Sequence, residues 1–108
     1  MQLPSVVTIA GSDSSGGAGI QADLKTIAAL GLYGQSVITA LTAQNTCGVR
    51  SIQETSAQVV SDQIDAVFED IRPAAVKVGM LSSAPIVHEV AHGLRRHGAA
   101  HVVLDPVM

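Results

Sequence analysis

Apolar and polar residues change period several times along this chain, and each change marks an element. Val6, Val7, Ile9 and Ala10 make an apolar run that stops at Gly11. Small polar residues and Gly16, Gly17 and Gly19 follow, and then Ile20, Leu24 and Ile27 recur at i, i+4 and i+7. A short apolar run bounded by turn residues reads as a strand, and the later spacing reads as a helix. The expectation is a strand over Ser5 to Ala10, a glycine loop, and a helix from about Gly17 to Leu30. Gly31 stops that helix, because glycine adopts positive φ cheaply. Its apolar face is Ile20, Leu24, Ile27 and Ala28, with Asp23 off the stripe.

Ser36 to Ala43 is apolar on both faces, as a strand covered from both sides should be. It delivers Gln44, Asn45 and Thr46 at its carboxyl end, and Cys47-Gly48 makes a turn. Val49 to Thr55 carries Arg50, Ser51, Gln53 and Glu54, too polar for a core strand, and reads as an edge strand or flap. Thr55 and Gln58 fit a capping box. Val60, Ile64, Val67 and Ile71 then mark a helical face that ends at Arg72-Pro73. A third strand is expected over Ala74 to Val78. Ser82 or Ser83 caps a third helix with Pro85 in its first turn, inner face Ile86, Val87, Val90, Ala91 and Leu94, and Gly98 as its stop. His101 to Leu104 is the fourth strand and runs into Asp105-Pro106-Val107-Met108.

Strands alternating with helices predict an α/β fold with a mainly parallel sheet. The run of elements stops on a strand with no closing helix, which would leave an apolar face or edge uncovered. The expectation is therefore that residues 1–108 are the N-terminal part of one domain, cut after its fourth core strand.

Composition narrows the function classes. The 108 residues have room for about one domain. They are 47% hydrophobic and only 14% charged, the opposite of a disordered chain. A net charge of −3 provides no basic footprint for nucleic acid, and the two aromatics, Tyr33 and Phe68, make no platform for stacking bases. Cys47 is the single cysteine, which suits a reducing compartment. With no signal-like leader and no run near the roughly 18–20 apolar residues that span a bilayer, a cytoplasmic protein without membrane contact is expected.

Three motifs compete for chemistry. Gly17-Ala18-Gly19-Ile20-Gln21-Ala22 matches a dinucleotide fingerprint, GxGxxA. That reading requires an acidic residue about 20 positions on, at the end of the next strand. Val37 to Ala43 contains none, and no Gly-Lys-Ser/Thr supports a P-loop. His88-Glu89-Val90-Ala91-His92 matches HExxH, but a zinc site needs a third ligand. The extended motif would want glycine at 95 and histidine at 98, where Arg95 and Gly98 stand, so His88 and His92 read as solvated surface residues. The third candidate is the set of strand tips, Gly11-Ser12-Asp13, Gln44-Asn45-Thr46, Gly79-Met80 and Asp105. In a parallel sheet these share one rim, where ligands of open α/β sheets sit. Asp23 would hang over that rim and accept from a hydroxyl or amine. Gln44 offers a donor and an acceptor for a heterocycle edge, and Asp105 could bear on a metal or phosphate. Each has a plainer reading as a turn or helix-end residue, and Cys47 reads as a small packing residue.

Four of these stretches together resemble the hydroxymethylpyrimidine/phosphomethylpyrimidine kinases of thiamine biosynthesis. They are Ile9 to Asp23, Thr39 to Thr46, Val76 to Leu81 and Val103 to Met108. The resemblance implies a three-layer ribokinase-like fold and ATP-dependent phosphorylation of the pyrimidine's hydroxymethyl group and then of its monophosphate. It also implies ATP and Mg²⁺ as cofactors and a tendency to form homodimers. Gly11, Ala18, Asp23, Gln44, Met80 and Val107 would line the pyrimidine pocket, with Gln44 on the ring and its amino group and Asp23 on the hydroxymethyl. Asp105 would lie toward phosphate and Mg²⁺. The family is about two and a half times this length, and its ATP site and catalytic residue fall in its second half. The 108 residues alone are therefore expected to be inactive. A pyridoxal-type kinase and a non-catalytic pyrimidine-binding module are the alternatives.

Overall fold

The computed structural model describes residues 3–105. Six strands and three helices follow one another as β1 (Ser5–Ala10), α1 (Gly19–Ala29), β2 (Tyr33–Ile38), β3 (Ala40–Asn45), β4 (Gly48–Glu54), α2 (Ala57–Phe68), β5 (Ala75–Val78), α3 (Ala84–Arg96) and β6 (Val102–Leu104). Four of the strands form a parallel sheet in the order β2-β1-β5-β6. The chain thus has the α/β architecture with a parallel sheet that the alternation predicts.

Strand pleat explains the layers. Val7 and Ile9 of β1, Val37 of β2 and Val76 and Val78 of β5 share one face and pack against Val60, Ile64 and Phe68 of α2 and Ile86 and Val90 of α3. Helix α1 covers the opposite face. Gly34 of β2 lets it close in, since a Cβ there would stand 2.8 Å from the Leu24 side chain. Gly93 plays the same part between α3 and α2, where a Cβ would stand 2.9 Å from Ile64 Cδ1.

The structure corrects several expectations. Ser36 to Ala43 is not one strand. The chain breaks at buried Thr39, whose N–H donates to the Ala10 carbonyl and whose own carbonyl accepts from the Thr55 N–H. The residues beyond belong to an antiparallel hairpin, β3-β4, with a register shift between Ala43 and Gln44. Of the edge strand or flap expected over Val49 to Thr55, the strand is what forms: β4 is the second strand of that hairpin. The capping box does not form. Ser56 is the N-cap of α2 and accepts from the Val59 N–H, while Gln58 donates to Asp62. Phe68 rather than Ile71 completes the buried face of α2, because the helix ends before Ile71 and leaves it exposed. Helix α1 starts at Gly19 instead of Gly17, and Ala28 is exposed. Val87 is exposed too, and Gly93 takes its place on the inner face of α3. Cys47 does not pack; it is exposed at the hairpin turn. The helix stops hold: Gly31 has φ +76° and Gly98 φ +61°. Ser83 is the N-cap of α3 by position, but its side chain makes no capping bond.

Candidate functional site

The loop after β1 builds the site, and it does so through Asp13. This side chain is buried, and its carboxylate accepts from the Ser15 N–H (2.9 Å), the Ser15 hydroxyl (2.7 Å) and the Gly17 N–H (3.1 Å). The Ser15 hydroxyl and N–H hold the carboxyl below its ordinary value, helped by the N–H groups of Ala18 and Gly17 and opposed by burial. The Ser15 and Gly17 amides are therefore turned inward onto an internal carboxylate instead of facing an external phosphate. Gln21 accepts from the Asp13 N–H, tying the loop to the first turn of α1.

From there the loop runs beside β3. The Ser12 N–H donates to the Ala40 carbonyl, the Ser12 hydroxyl accepts from the Thr42 N–H, and the Ser14 hydroxyl bonds both the N–H and the carbonyl of Gln44. This stitching holds the hairpin over the sheet's carboxyl end. Ser82 then ties the start of α3 to the end of β4 through Glu54.

Between these parts lies a cavity of about 400 Å³, within the range of small-molecule sites. Ala10, Ala18, Ala40, Val49, Ile52 and Met80 make its apolar walls. Thr39, Thr42, Gln44, Ser82, Lys77 and Asp105 supply polar groups. An apolar slot with a few convergent polar groups suits a small molecule. Met80 is 68% exposed at the mouth, where a thioether can lie against a ring without needing an aromatic partner.

Gly11, Ala18, Gln44, Met80 and Asp105 are thus brought to one cavity. Asp23 does not hang free over the rim. Its carboxylate accepts from the buried Thr8 hydroxyl (2.6 Å) and from Lys77 Nζ (2.8 and 3.0 Å). Val107 lies outside the described residues. Asn45 and Thr46 sit at the exposed hairpin turn, away from the cavity. His88 and His92 are exposed on α3, and the described residues hold no group of three or more His, Cys, Asp or Glu able to bind a metal ion. Asp105 alone can offer Mg²⁺ one carboxylate oxygen, the kind of contribution Mg²⁺ takes beside phosphates.

Lys77 is the residue that sequence reasoning passed over. It pairs with Asp23 and stands 3.5 Å from Asp105 Oδ2. The signal was present: Ala75-Val76-Lys77-Val78 places a lone lysine on the pleat face opposite the two valines, next to Thr8 in register. A half-buried lysine on a strand needs a carboxylate, and α1 offers one acidic residue, Asp23.

Comparison with known proteins agrees with this geometry. The family described as phosphomethylpyrimidine kinase matches residues 13–108. A hydroxymethylpyrimidine/phosphomethylpyrimidine kinase from Salmonella typhimurium is 57% identical over 108 residues, covering all of this chain and 41% of the relative. The crystal structure of a phosphomethylpyrimidine kinase from Clostridium difficile superposes with a TM-score of 0.94 at 56% identity, covering 97% of this chain and 46% of that one. A pyridoxal kinase from Staphylococcus aureus, in complex with AMP-PCP and pyridoxal, superposes at a TM-score of 0.87 with 36% identity, covering 100% of this chain and 40% of that one. The chain thus spans about two fifths of the length of the Salmonella typhimurium and Rhizobium meliloti kinases it matches. Among the described residues no helix is long and apolar enough to cross a membrane.

Proposed function

The chain belongs to the phosphomethylpyrimidine kinase family, and on that footing we propose that its cavity is the acceptor site of an ATP-dependent kinase of thiamine biosynthesis. The substrates would be 4-amino-5-hydroxymethyl-2-methylpyrimidine and its monophosphate. One observation carries the reading. Gln44, Met80, Gly11 and Ala18 converge on one small, mostly apolar cavity that Lys77 and Asp105 also line, with Asp23 paired to Lys77. Gln44 can meet a ring nitrogen and an exocyclic amine at once, and Asp23 can accept from the hydroxymethyl. Val107 completes the proposed set.

Phosphoryl transfer depends on positioning and on stabilising charge as it moves. This cavity provides the first for the acceptor. Among the described residues the glycine loop offers no cradle for a second, nucleotide phosphate, since Asp13 occupies its amides. ATP and Mg²⁺ are the cofactors this reading requires. Asp105 would contribute one oxygen to the ion, and the transferred phosphate would come from ATP. Residues 1–108 alone are proposed to lack turnover, in a cytoplasmic setting. ATP-dependent phosphorylation of hydroxymethylpyrimidine should be present in the complete gene product and absent from the 108-residue chain; robust turnover by the latter would sink the claim.

Pyridoxal is the second ring to test, because pyridoxal kinases share this part of the fold at 36% identity. The higher identity to pyrimidine kinases favours the pyrimidine. Turnover on the two rings side by side separates the readings.

A further inference from the structure

Lys77 lines the cavity, and the acceptor reading gives it no role of its own. Among the described residues it is the only basic side chain lining the cavity, with its side chain 27% exposed, and it sits between two carboxylates of like charge, Asp23 from α1 and Asp105 beyond β6. An ammonium has three donors. Two reach Asp23 Oδ1 and Oδ2 at 3.0 and 2.8 Å, and the third has Asp105 Oδ2 at 3.5 Å.

The two oxygens of Asp23 are not equivalent. Each carboxylate oxygen has about two acceptor sites. Oδ2 already takes the Thr8 hydroxyl at 2.6 Å and Lys77, so it is full. Oδ1 takes Lys77 alone and keeps one acceptor site. Thr8 and Lys77 are register partners on neighbouring strands β1 and β5. The carboxylate is thus clamped from two points on the rigid centre of the sheet, and its single remaining acceptor site is fixed in place.

We propose that Lys77 is a positioning residue: it clamps Asp23 so that the remaining acceptor site of Oδ1 receives the hydroxyl of the substrate. The inference rests on the acceptor reading above. A plainer role, an ion pair that only fastens α1 to the sheet, predicts different behaviour. A fastening pair affects every ligand equally through stability of the cavity, whereas a clamp on Asp23 affects only ligands that carry the hydroxyl.

The experiment uses the complete gene product and two probes: hydroxymethylpyrimidine, and the same ring with a methyl group in place of the hydroxymethyl. The unsubstituted protein should prefer the hydroxyl ligand. In K77M the affinity for the hydroxyl ligand should fall about 10-fold or more, the scale of a charged hydrogen bond. Affinity for the methyl ligand should stay within about twofold, since that ligand makes no bond to Oδ1. K77R, which keeps charge and donors, should recover most of the preference. Equal losses for both ligands in K77M, or no loss for either, overturns the proposal. Should K77M not fold by circular dichroism, Thr8→Val decides. It removes the other clamp and keeps the ion pair, and it should weaken the hydroxyl ligand selectively by about threefold; no selective effect overturns the proposal. Absence of any hydroxyl preference in the unsubstituted protein would overturn the acceptor reading itself, a failure visible before any substitution is made.

Discussion

Gly19→Ala tests the glycine loop most sharply, because the loop gives two separate reasons for glycine there. The backbone at Gly19 has φ +58°, where an L side chain costs about 1–2 kcal/mol. In addition, a Cβ would lie 2.4 Å from the Gly11 carbonyl oxygen, with Gly11 C at 3.3 Å and Asp13 N at 3.4 Å. All three are backbone atoms, so no side chain can rotate away. That same oxygen accepts the Ile20 N–H at 3.0 Å, which opens α1. Relief of the overlap must move the loop and stretch this bond, adding roughly 1–3 kcal/mol for overpacking and about 1 kcal/mol for the bond. The expected total is about 3–6 kcal/mol. Gly31→Ala is the control. Its φ is +76°, yet nothing lies within 4 Å of the added Cβ, so only the backbone cost of about 1–2 kcal/mol applies. Equilibrium urea unfolding, with a slope of about 1–3 kcal/mol/M for a protein of this size, should separate the two midpoints by about 1 M or more. Equal midpoints would show that the Gly11–Gly19 approach does not constrain the fold, and the reasoning about the loop would fail with it.

Other outcomes follow from the same geometry. Ile64→Ala empties the centre of the α2–sheet–α3 core, where Ile64 is fully buried, and should cost about 2–5 kcal/mol by urea unfolding. Ser14→Ala removes both bonds to the Gln44 backbone from an exposed position, so it should weaken pyrimidine binding by about five- to tenfold while the melting temperature moves little. Asp13 gives a pH dependence of known sign. Its carboxyl is held below the ordinary value in the folded loop, so its stabilisation is complete above the unfolded value of about 3.9 and is lost as pH falls through the folded one. Stability measured against pH below about 4 should therefore fall less steeply in Asp13→Asn than in the unsubstituted chain.

The parallel sheet was legible because its periods are strong. Val7 and Ile9 in one strand, Val60 and Ile64 in one helix, and glycines at 31 and 98 each report a local rule that tertiary structure kept. The hairpin was not legible. Ser36 to Ala43 carries apolar residues on both faces, and nothing local to Thr39 marks a break. The break is set from outside, by Ala10 and Thr55 bonding the Thr39 backbone and by the glycine loop bonding β3. Gly11, Met80 and Asp105 follow β1, β5 and β6, so their rim positions follow from strand direction; Gln44 reaches the cavity instead from the hairpin strand β3, held there by Ser14. That Asp23 is already bonded was not foreseen, because the acid was named without asking which base it would meet. Lys77 and Thr8 meet it from two neighbouring strands, 54 and 15 residues away in sequence, and only the β1–β5 register brings them together.

The central claim is that this cavity holds hydroxymethylpyrimidine through Gln44. Calorimetric titration of the complete gene product with that pyrimidine, beside Gln44→Ala, tests it directly. The account predicts saturable one-site binding that weakens about 10-fold or more in Gln44→Ala, with folding intact by circular dichroism. Undiminished binding by Gln44→Ala, or no binding by the folded unsubstituted protein, would contradict it.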